Sequence, residues 1–175
     1  MNFLYINVGR AHYEYEKFSC RSIRACCVGW VCCTCIFAAI STTIRASKKS
    51  IETLVDKAAA KVNSEGKVAF SDFRKEGSEW WFGKTYLFGY DYNLNVLLNP
   101  AFPQREGTNP HGAKDVNGKA YHDEFLEVVQ DKGAGWVDYM FPKPGQTEPT
   151  QKWGYVKAVN IDGKPGLIGA GFYPE

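Results

Sequence analysis

The last third of the chain, residues 135–173, limits the fold most, because it contains three β-forming runs separated by turn residues. We predict strands over Gly135–Phe141, Lys152–Asn160 and Gly166–Phe172. A loop containing the sequence PKPG separates the first two runs, and Asp162-Gly163 separates the last two. Such proline- and glycine-rich turns between β-forming runs are typical of antiparallel hairpins. The sequence therefore predicts a three-stranded antiparallel meander.

The meander carries side chains that are apolar along their length and polar at the tip. They are Trp136, Tyr139, Lys152, Trp153 and Tyr155. Aromatic rings with one hydrogen-bonding end, beside one ammonium group, suit a pocket that holds a small anion and excludes most water. The same residue types also occur as ordinary core and surface aromatics of a small sheet. Composition alone leaves both interpretations open.

Several short motifs occur in an order that resembles a known family. They are KTYLFGYD, VLLNPAFP, DVNGK, GWVDY, PKPG, KWGYVK and GLIGAGFY. Together they resemble the single Cache domain, a small extracytoplasmic sensor module of bacterial chemoreceptors and histidine kinases that also occurs as a free-standing exported protein. The resemblance covers roughly Ile51 to Tyr173.

The resemblance implies a ligand-binding site. In similar Cache domains the ligands are short carboxylic acids, and the positions that match Tyr139, Lys152 and Tyr155 line the site. An ammonium supplies charge and phenol hydroxyls supply directed hydrogen bonds, while Trp136 and Phe88 are expected to close around the alkyl end of the ligand. Lys152 and Tyr155 would face opposite ways in a regular strand. We therefore expect Lys152 to approach from the loop just before its strand.

The chain departs from the family's pattern at two positions. Many of these domains have a histidine before the proline of the second strand, where this chain has Asn99-Pro100. An amide keeps donor and acceptor capacity without charge, so Asn99 is a further candidate ligand contact. The usual glycine of the first hairpin turn is absent, and we expect Asn93 or Asn95 to adopt a positive φ there. The pocket is expected between the sheet and the loop 101–119.

The N-terminal part contains an uncharged stretch of twenty residues, Ala25–Ile44, with basic residues on both sides. This pattern is typical of a secretory signal peptide and equally of an uncleaved membrane anchor. We assign residues 1–45 to one of these, with a misassigned translation start, and residues 46–175 to one Cache-type ligand-binding domain. Either alternative predicts an exported protein, periplasmic or secreted. All six cysteines lie between Cys20 and Cys35, so the domain itself relies on its hydrophobic core.

The remaining elements complete the predicted fold. Apolar residues recur at helical spacing from Ile51 to Val62, which predicts a helix that starts at Ser47 or Ser50. Residues 86–90 and 96–99 are expected to form a hairpin, and residues 119–132 a second, crossover helix. The predicted fold class is α+β. It is a PAS-like antiparallel sheet of five or six strands, with the hairpin beside the last meander strand and the long N-terminal helix and crossover helix flanking it.

Charge and motifs exclude several function classes. Residues 1–45 hold five of the twenty-one Lys/Arg and two of the nineteen Asp/Glu, which leaves sixteen and seventeen for the domain. This balance does not predict nucleic-acid binding. The domain has neither a G-x-S-x-G motif nor a cysteine. We expect no enzyme activity, catalytic residue, metal site or cofactor, and we expect His111 and His122 to be exposed.

The sequence therefore predicts an extracytoplasmic sensor domain that binds a small organic ligand, with a short carboxylate as the first candidate. It is expected to signal through a partner such as a membrane receptor or kinase, and to contact a membrane only through an uncleaved N-terminal segment. The alternative is a carbohydrate- or protein-binding β-module without a pocket. That module would use Trp80, Trp81, Trp136 and Trp153 as exposed coplanar rings, whereas the sensor would bury most of them around a closed cavity.

Overall fold

The computed structural model describes the backbone of residues 33–174 and the side chains of residues 47–174. Helix α1, Cys33–Glu65, is followed by a 3₁₀ turn, Gly66–Ala69, and by the short helix α2, Phe70–Phe73. The expected helix start at Ser47 or Ser50 is wrong. No glycine or proline interrupts residues 33–50, so the helix continues through both serines.

The predicted signal peptide or anchor over residues 1–45 begins outside the described residues, and from Cys33 onward only its helical backbone is described. Within the described part of the chain, no helix combines the length and the apolar character that a bilayer crossing requires.

Six antiparallel strands form one sheet, with helix α3, Tyr121–Lys132, inserted between the third and fourth strands. The strands are β1 Trp81–Phe82, β2 Thr85–Asp91, β3 Val96–Leu98, β4 Ala134–Pro142, β5 Pro149–Ile161 and β6 Lys164–Phe172. The order is β1-β2-β6-β5-β4, and β3 pairs with β2. The predicted meander and the position of the hairpin beside its last strand are therefore confirmed, whereas the two-residue strand β1 was not predicted.

The pleat of the sheet separates the core into two clusters. On one face, here called the α1 face, Leu87, Ile168 and Ala170 pack with Val55 and other apolar residues of helix α1. On the opposite face, the α3 face, apolar strand residues pack with helix α3. They are Phe88, Tyr90, Val137, Tyr139 and Val156 on the strands, and Phe125 and Val129 on the helix. Each fully buried Val, Leu, Ile or Phe contributes about 1.5–3 kcal/mol, so both helices are held by their apolar stripes.

The turn between β2 and β3 differs from its prediction, because Leu94 has the positive φ, 63°, and neither asparagine does. The Asp91 carboxylate accepts hydrogen bonds from the backbone N–H of Asn93 at 3.0 Å and of Asn95 at 2.8 Å. The side-chain amide of Asn95 donates to it at 2.8 Å. Leu94 is only 2% exposed. Burial of its side chain and the Asp91 hydrogen bonds offset the cost of the left-handed conformation.

Replacing Asp91 with alanine removes three hydrogen bonds that hold this turn. We expect Asp91→Ala to lower the free energy of unfolding by about 1–3 kcal/mol, measured by urea denaturation. The matched control is Asp131→Ala, at an exposed position near the end of helix α3, with an expected change within about 0.5 kcal/mol. Equal effects of the two substitutions would show that Asp91 does not stabilise the turn.

Candidate functional site

Lys152 is the most deeply buried charged side chain of the described residues, with 1% of its surface exposed. It lies inside strand β5, where it pairs with Tyr139 of β4. The expectation that it approaches from a loop is wrong, because the β4–β5 ladder continues regularly to the pair Pro142 and Pro149. Lys152 and Tyr139 therefore project together on the α3 face.

Aromatic rings surround the Lys152 ammonium. Its Nζ atom lies 4.1 Å from the ring centre of Tyr86, 5.2 Å from those of Phe141 and Tyr173, and 5.8 Å from that of Phe88. Cation–π contact contributes about 2 kcal/mol at a desolvated site, whereas burial of an ion costs several kcal/mol. Burial, followed by the positive charge of Arg105, lowers the pKa of Lys152 to about 7. The rings therefore offset only part of the cost of burying this charge.

The ammonium also has unused hydrogen-bonding capacity. An ammonium has three N–H donors, and in the described part of the chain Lys152 donates only one hydrogen bond, to the Tyr86 hydroxyl at 3.0 Å. It forms no ion pair with any acidic side chain of residues 47–174. Lys152 is thus a buried cation with two N–H donors that no described residue accepts.

Phenol hydroxyls gather around the same position on the α3 face. Burial raises the pKa of each of these phenols, Tyr86, Tyr90, Tyr121, Tyr139 and Tyr173. All therefore remain protonated at neutral pH. The Tyr173 hydroxyl donates to the backbone oxygen of Pro142 at 2.7 Å, whereas the hydroxyls of Tyr90 and Tyr139 have no partner among the described residues. The site thus combines one ammonium with neutral hydroxyl donors.

A pocket of about 470 Å³ opens next to this site, between the loop 101–119 and the sheet, where the sequence predicted it. Its lining includes the rings of Phe102, Tyr121 and Phe141, here called the aromatic wall. The rings of Phe102 and Phe141 meet edge to face at 5.1 Å. Lys152 does not line the pocket and contacts the ring of Phe141. Phe141 therefore borders both the open pocket and the buried ammonium.

Most of the chain matches a known protein family. The sequence profile of the family described as single Cache domain 2 matches residues 36–173. The chain belongs to the single Cache domain 2 family. Its predicted PAS-like α+β architecture is confirmed, because solved domains of this kind share its fold. This is a family of sensor domains and not of enzymes.

Two relatives are signalling proteins. The domain is 30% identical over 90 residues to the methyl-accepting chemotaxis protein McpP of Pseudomonas putida. This match covers 51% of this chain and 16% of McpP. It is 28% identical over 129 residues to the sensor histidine kinase MctS of Rhizobium johnstonii. This match covers 71% of this chain and 26% of MctS. The chain therefore spans about a quarter or less of the length of these relatives.

Two solved structures share the fold. A periplasmic sensor domain of a chemotaxis protein aligns with a TM-score of 0.57 and 25% identity, covering 83% of this chain and all of that domain. A Cache chemosensory domain, studied for carboxylic acid recognition, aligns with a TM-score of 0.57 and 23% identity, covering 81% and 97%. The domain is thus homologous to the sensor domains of chemoreceptors and sensor kinases.

Two of the predicted site residues lie elsewhere in this Cache domain. Trp136 and Tyr155 pair across β4 and β5 on the α1 face, with ring centres 5.2 Å apart. Trp136 Nε1 donates to Glu52 of helix α1 at 2.9 Å. The sequence analysis grouped both residues with Lys152, but neither is its neighbour. Tyr155 is three residues after Lys152 in β5, and residues an odd number apart in a strand face opposite ways. The structure brings together Phe88, Tyr139 and Lys152 only.

Asn99 and His122 are buried polar residues of the Cache domain with unpaired atoms. Asn99 is 3% exposed and its Oδ1 has no hydrogen-bond partner in the described part of the chain. His122 was expected to be exposed, which is wrong, since it is 1% exposed between Tyr90 and Tyr121. Burial, then the charge of Arg105, lowers the pKa of His122 to about 4, so its ring is neutral at pH 7.

Several residues of the site were not predicted as ligand contacts. They are Tyr86, Tyr173, Tyr121, Phe141 and Arg105. Tyr86 lies two residues before Phe88 in β2, so the alternation of a strand places both on one face, and this signal could have identified Tyr86. No sequence signal identified Arg105, because its place depends on how the loop 101–119 folds over the sheet.

The four described tryptophans support neither arrangement that the sequence analysis proposed for them. Trp80, Trp81, Trp136 and Trp153 are all half-buried. Trp80 packs on Phe73 with ring centres 4.9 Å apart, and Lys48 covers Trp153 at 3.9 Å. They form no exposed coplanar platform of the kind that binds glycans. They do not line the pocket of the Cache domain either.

Replacing Lys152 with methionine tests whether burial of its charge lowers the free energy of unfolding. Below about pH 7 Lys152 is charged in the folded and unfolded states, so the full cost of burial is present. Between about pH 7 and the ordinary value of 10.5 the unfolded state holds a proton that the folded state has lost. The free energy of unfolding of the wild type should therefore rise with pH, relative to that of Lys152→Met, by up to about 1.4 kcal/mol per pH unit.

The measurement is urea denaturation of both proteins without ligand at about pH 6 and about pH 9. Methionine has a similar length and no charge, so the fold should be retained. A stability difference that is the same at both pH values would contradict the lowered pKa.

Proposed function

We propose that this Cache domain is an extracytoplasmic sensor that binds a short organic carboxylate at Lys152 and signals through a partner protein. The observation that carries the proposal is the buried ammonium of Lys152, which has two unfilled N–H donors and no acidic neighbour among the described residues. A cation in such a position is stabilised by an anion that brings its own acceptors. An uncharged ligand would leave the charge uncompensated.

The surrounding groups suit a carboxylate. An ionised carboxylate only accepts hydrogen bonds and has two oxygens, which match the free N–H groups of Lys152 and the unpaired hydroxyl of Tyr139. The ring of Phe88, within 5.8 Å of the ammonium, offers an apolar surface for the alkyl part. Asn99, with its buried unpaired Oδ1, is a further candidate contact for a polar substituent of the ligand.

Entry of the ligand requires a movement of the aromatic wall. Lys152 is 1% exposed and does not line the open pocket, whereas Phe102 and Phe141 line it and Phe141 contacts the ammonium. Phe102 lies in the loop just before the 3₁₀ turn Pro103–Arg105, whereas Phe141 belongs to β4. We infer that the side chain of Phe102 moves while the backbone stays, because the backbone N–H groups of Phe102, Arg105 and Glu106 are all hydrogen-bonded.

Strand β5 provides a route from the site to helix α1. Lys152 and Trp153 are neighbours in this strand and face opposite sides of the sheet, and Trp153 lies under Lys48 of helix α1. A shift of β5 on ligand binding therefore changes a contact of the N-terminal helix. We propose that the signal passes along this helix to a membrane receptor or kinase partner, from a periplasmic or secreted location. The homology to chemoreceptor and sensor-kinase domains supports this proposal.

The test is isothermal titration calorimetry of the purified protein with acetate, propanoate and butanoate. We expect binding by the wild type and a loss of affinity of at least about a hundredfold in Lys152→Met, since a charge-assisted contact is removed. The control Lys132→Met removes an exposed lysine at the end of helix α3 and should bind like the wild type. The affinity of the wild type should be constant below about pH 7 and should fall by up to about tenfold per pH unit above it.

A pair of tyrosine variants separates the two faces of the sheet in the same experiment. Tyr139→Phe removes a hydroxyl on the Lys152 side and should weaken binding by about tenfold. Tyr155→Phe makes the identical chemical change on the α1 face and should leave the affinity unchanged. Equal effects of the two variants, or full affinity in Lys152→Met, would place the site elsewhere.

A further inference from the structure

Arg105 is a second cation of the site, and it suggests a narrower class of ligand. It lines the open pocket, and its guanidinium lies 5.0 Å from the ring centre of Phe141. Lys152 Nζ lies 5.2 Å from the same ring centre. The two charged groups are therefore no more than about 10 Å apart, one in the open pocket and one buried. Neither forms an ion pair with the described part of the chain.

The segment that carries Arg105 is fixed to the rest of the domain. The next residue, Glu106, accepts hydrogen bonds from the backbone N–H of Asn99 and from the side chain of Arg74, both at 2.7 Å. These contacts tie the 3₁₀ turn to the end of β3 and to the residue after α2. The position of Arg105 at the pocket is thus set by the fold.

The acidic side chain at the pocket, Asp115, forms no ion pair with Arg105 among the described residues. Asp115 lines the pocket as well, but its carboxylate accepts hydrogen bonds from the backbone N–H groups of Asn117, Lys119 and Met140 at 2.9–3.0 Å. Burial acts to raise the pKa of Asp115, but these hydrogen bonds outweigh it and lower the pKa. Most of its acceptor capacity is therefore used inside the protein.

Two cations this close repel each other, and an anion with two charged ends relieves the repulsion better than one with a single charge. A monocarboxylate on Lys152 leaves Arg105 without an anionic partner, whereas a second carboxylate can form the two parallel hydrogen bonds that a guanidinium favours. Phe141, in contact with both cations, offers an apolar surface for the chain that joins the two carboxylates.

We propose that the ligand is a short dicarboxylate, with one carboxylate bound by Lys152 and the other by Arg105. This inference rests on the proposed function and names the ligand class of the same site. It makes Arg105 the residue that determines the choice between monocarboxylates and dicarboxylates.

The test compares butanoate with succinate, which has the same number of carbons, and pentanoate with glutarate, by calorimetry at pH about 6.5. We expect the wild type to bind the dicarboxylate of at least one pair more tightly than its partner. Arg105→Gln should weaken dicarboxylate binding by about tenfold to a hundredfold and leave monocarboxylate binding nearly unchanged. Lys114→Gln, the matched control, removes another positive charge of the same pocket. It should change the affinities for monocarboxylates and dicarboxylates equally and only slightly.

The outcomes separate this inference from the proposed function. Binding of monocarboxylates without a preference for dicarboxylates would overturn the role of Arg105 and leave the carboxylate sensor standing. An equal loss of both classes in Arg105→Gln would also overturn it, because Arg105 would then act on the first carboxylate or through long-range attraction. Failure of every acid to bind a folded sample would overturn both proposals.

Discussion

The burial of one ammonium group is the constraint on which the site depends. Lys152 occupies a regular strand position opposite Tyr139, so its side chain is directed into the α3 face and cannot reach water. The rings around it offset part of the lost hydration, and one hydroxyl accepts a hydrogen bond. The part of the lost hydration that these groups do not offset can be recovered when an anion binds. A sensor benefits from this arrangement, because an anion that satisfies the lysine gains the free energy that the protein alone does not recover.

The pleat of the sheet gives each face its own task. Side chains on the α3 face form the proposed ligand site. Those on the α1 face hold the N-terminal helix through apolar contacts, the Trp136–Glu52 hydrogen bond and the Lys48–Trp153 contact. Since neighbouring residues of one strand lie on opposite faces, a small movement of β5 changes contacts on both faces. In the proposed mechanism, strand β5 alone connects the ligand to helix α1.

Much of this organisation was predictable from the sequence, and the failures have physical causes. Turn residues identified the meander and the hairpin, and the resemblance to Cache domains led to the prediction of Tyr139, Lys152 and Phe88 as site residues. The motif order grouped Trp136 and Tyr155 with them, although the spacing from Lys152 to Tyr155 already implied opposite faces. His122 and Arg105 were missed because their burial depends on helix and loop packing, which local patterns do not encode.

The most direct test is NMR titration of the Lys152 side chain in protein labelled at the lysine ε-carbons, with Lys152→Met used for assignment. Without ligand, the account predicts that Lys152 titrates with a pKa of about 7. A saturating carboxylate should raise this pKa, because the anion favours the charged form. A Lys152 resonance that titrates near the ordinary value of 10.5, unchanged by any carboxylate, would contradict the claim that a buried, uncompensated ammonium forms the site.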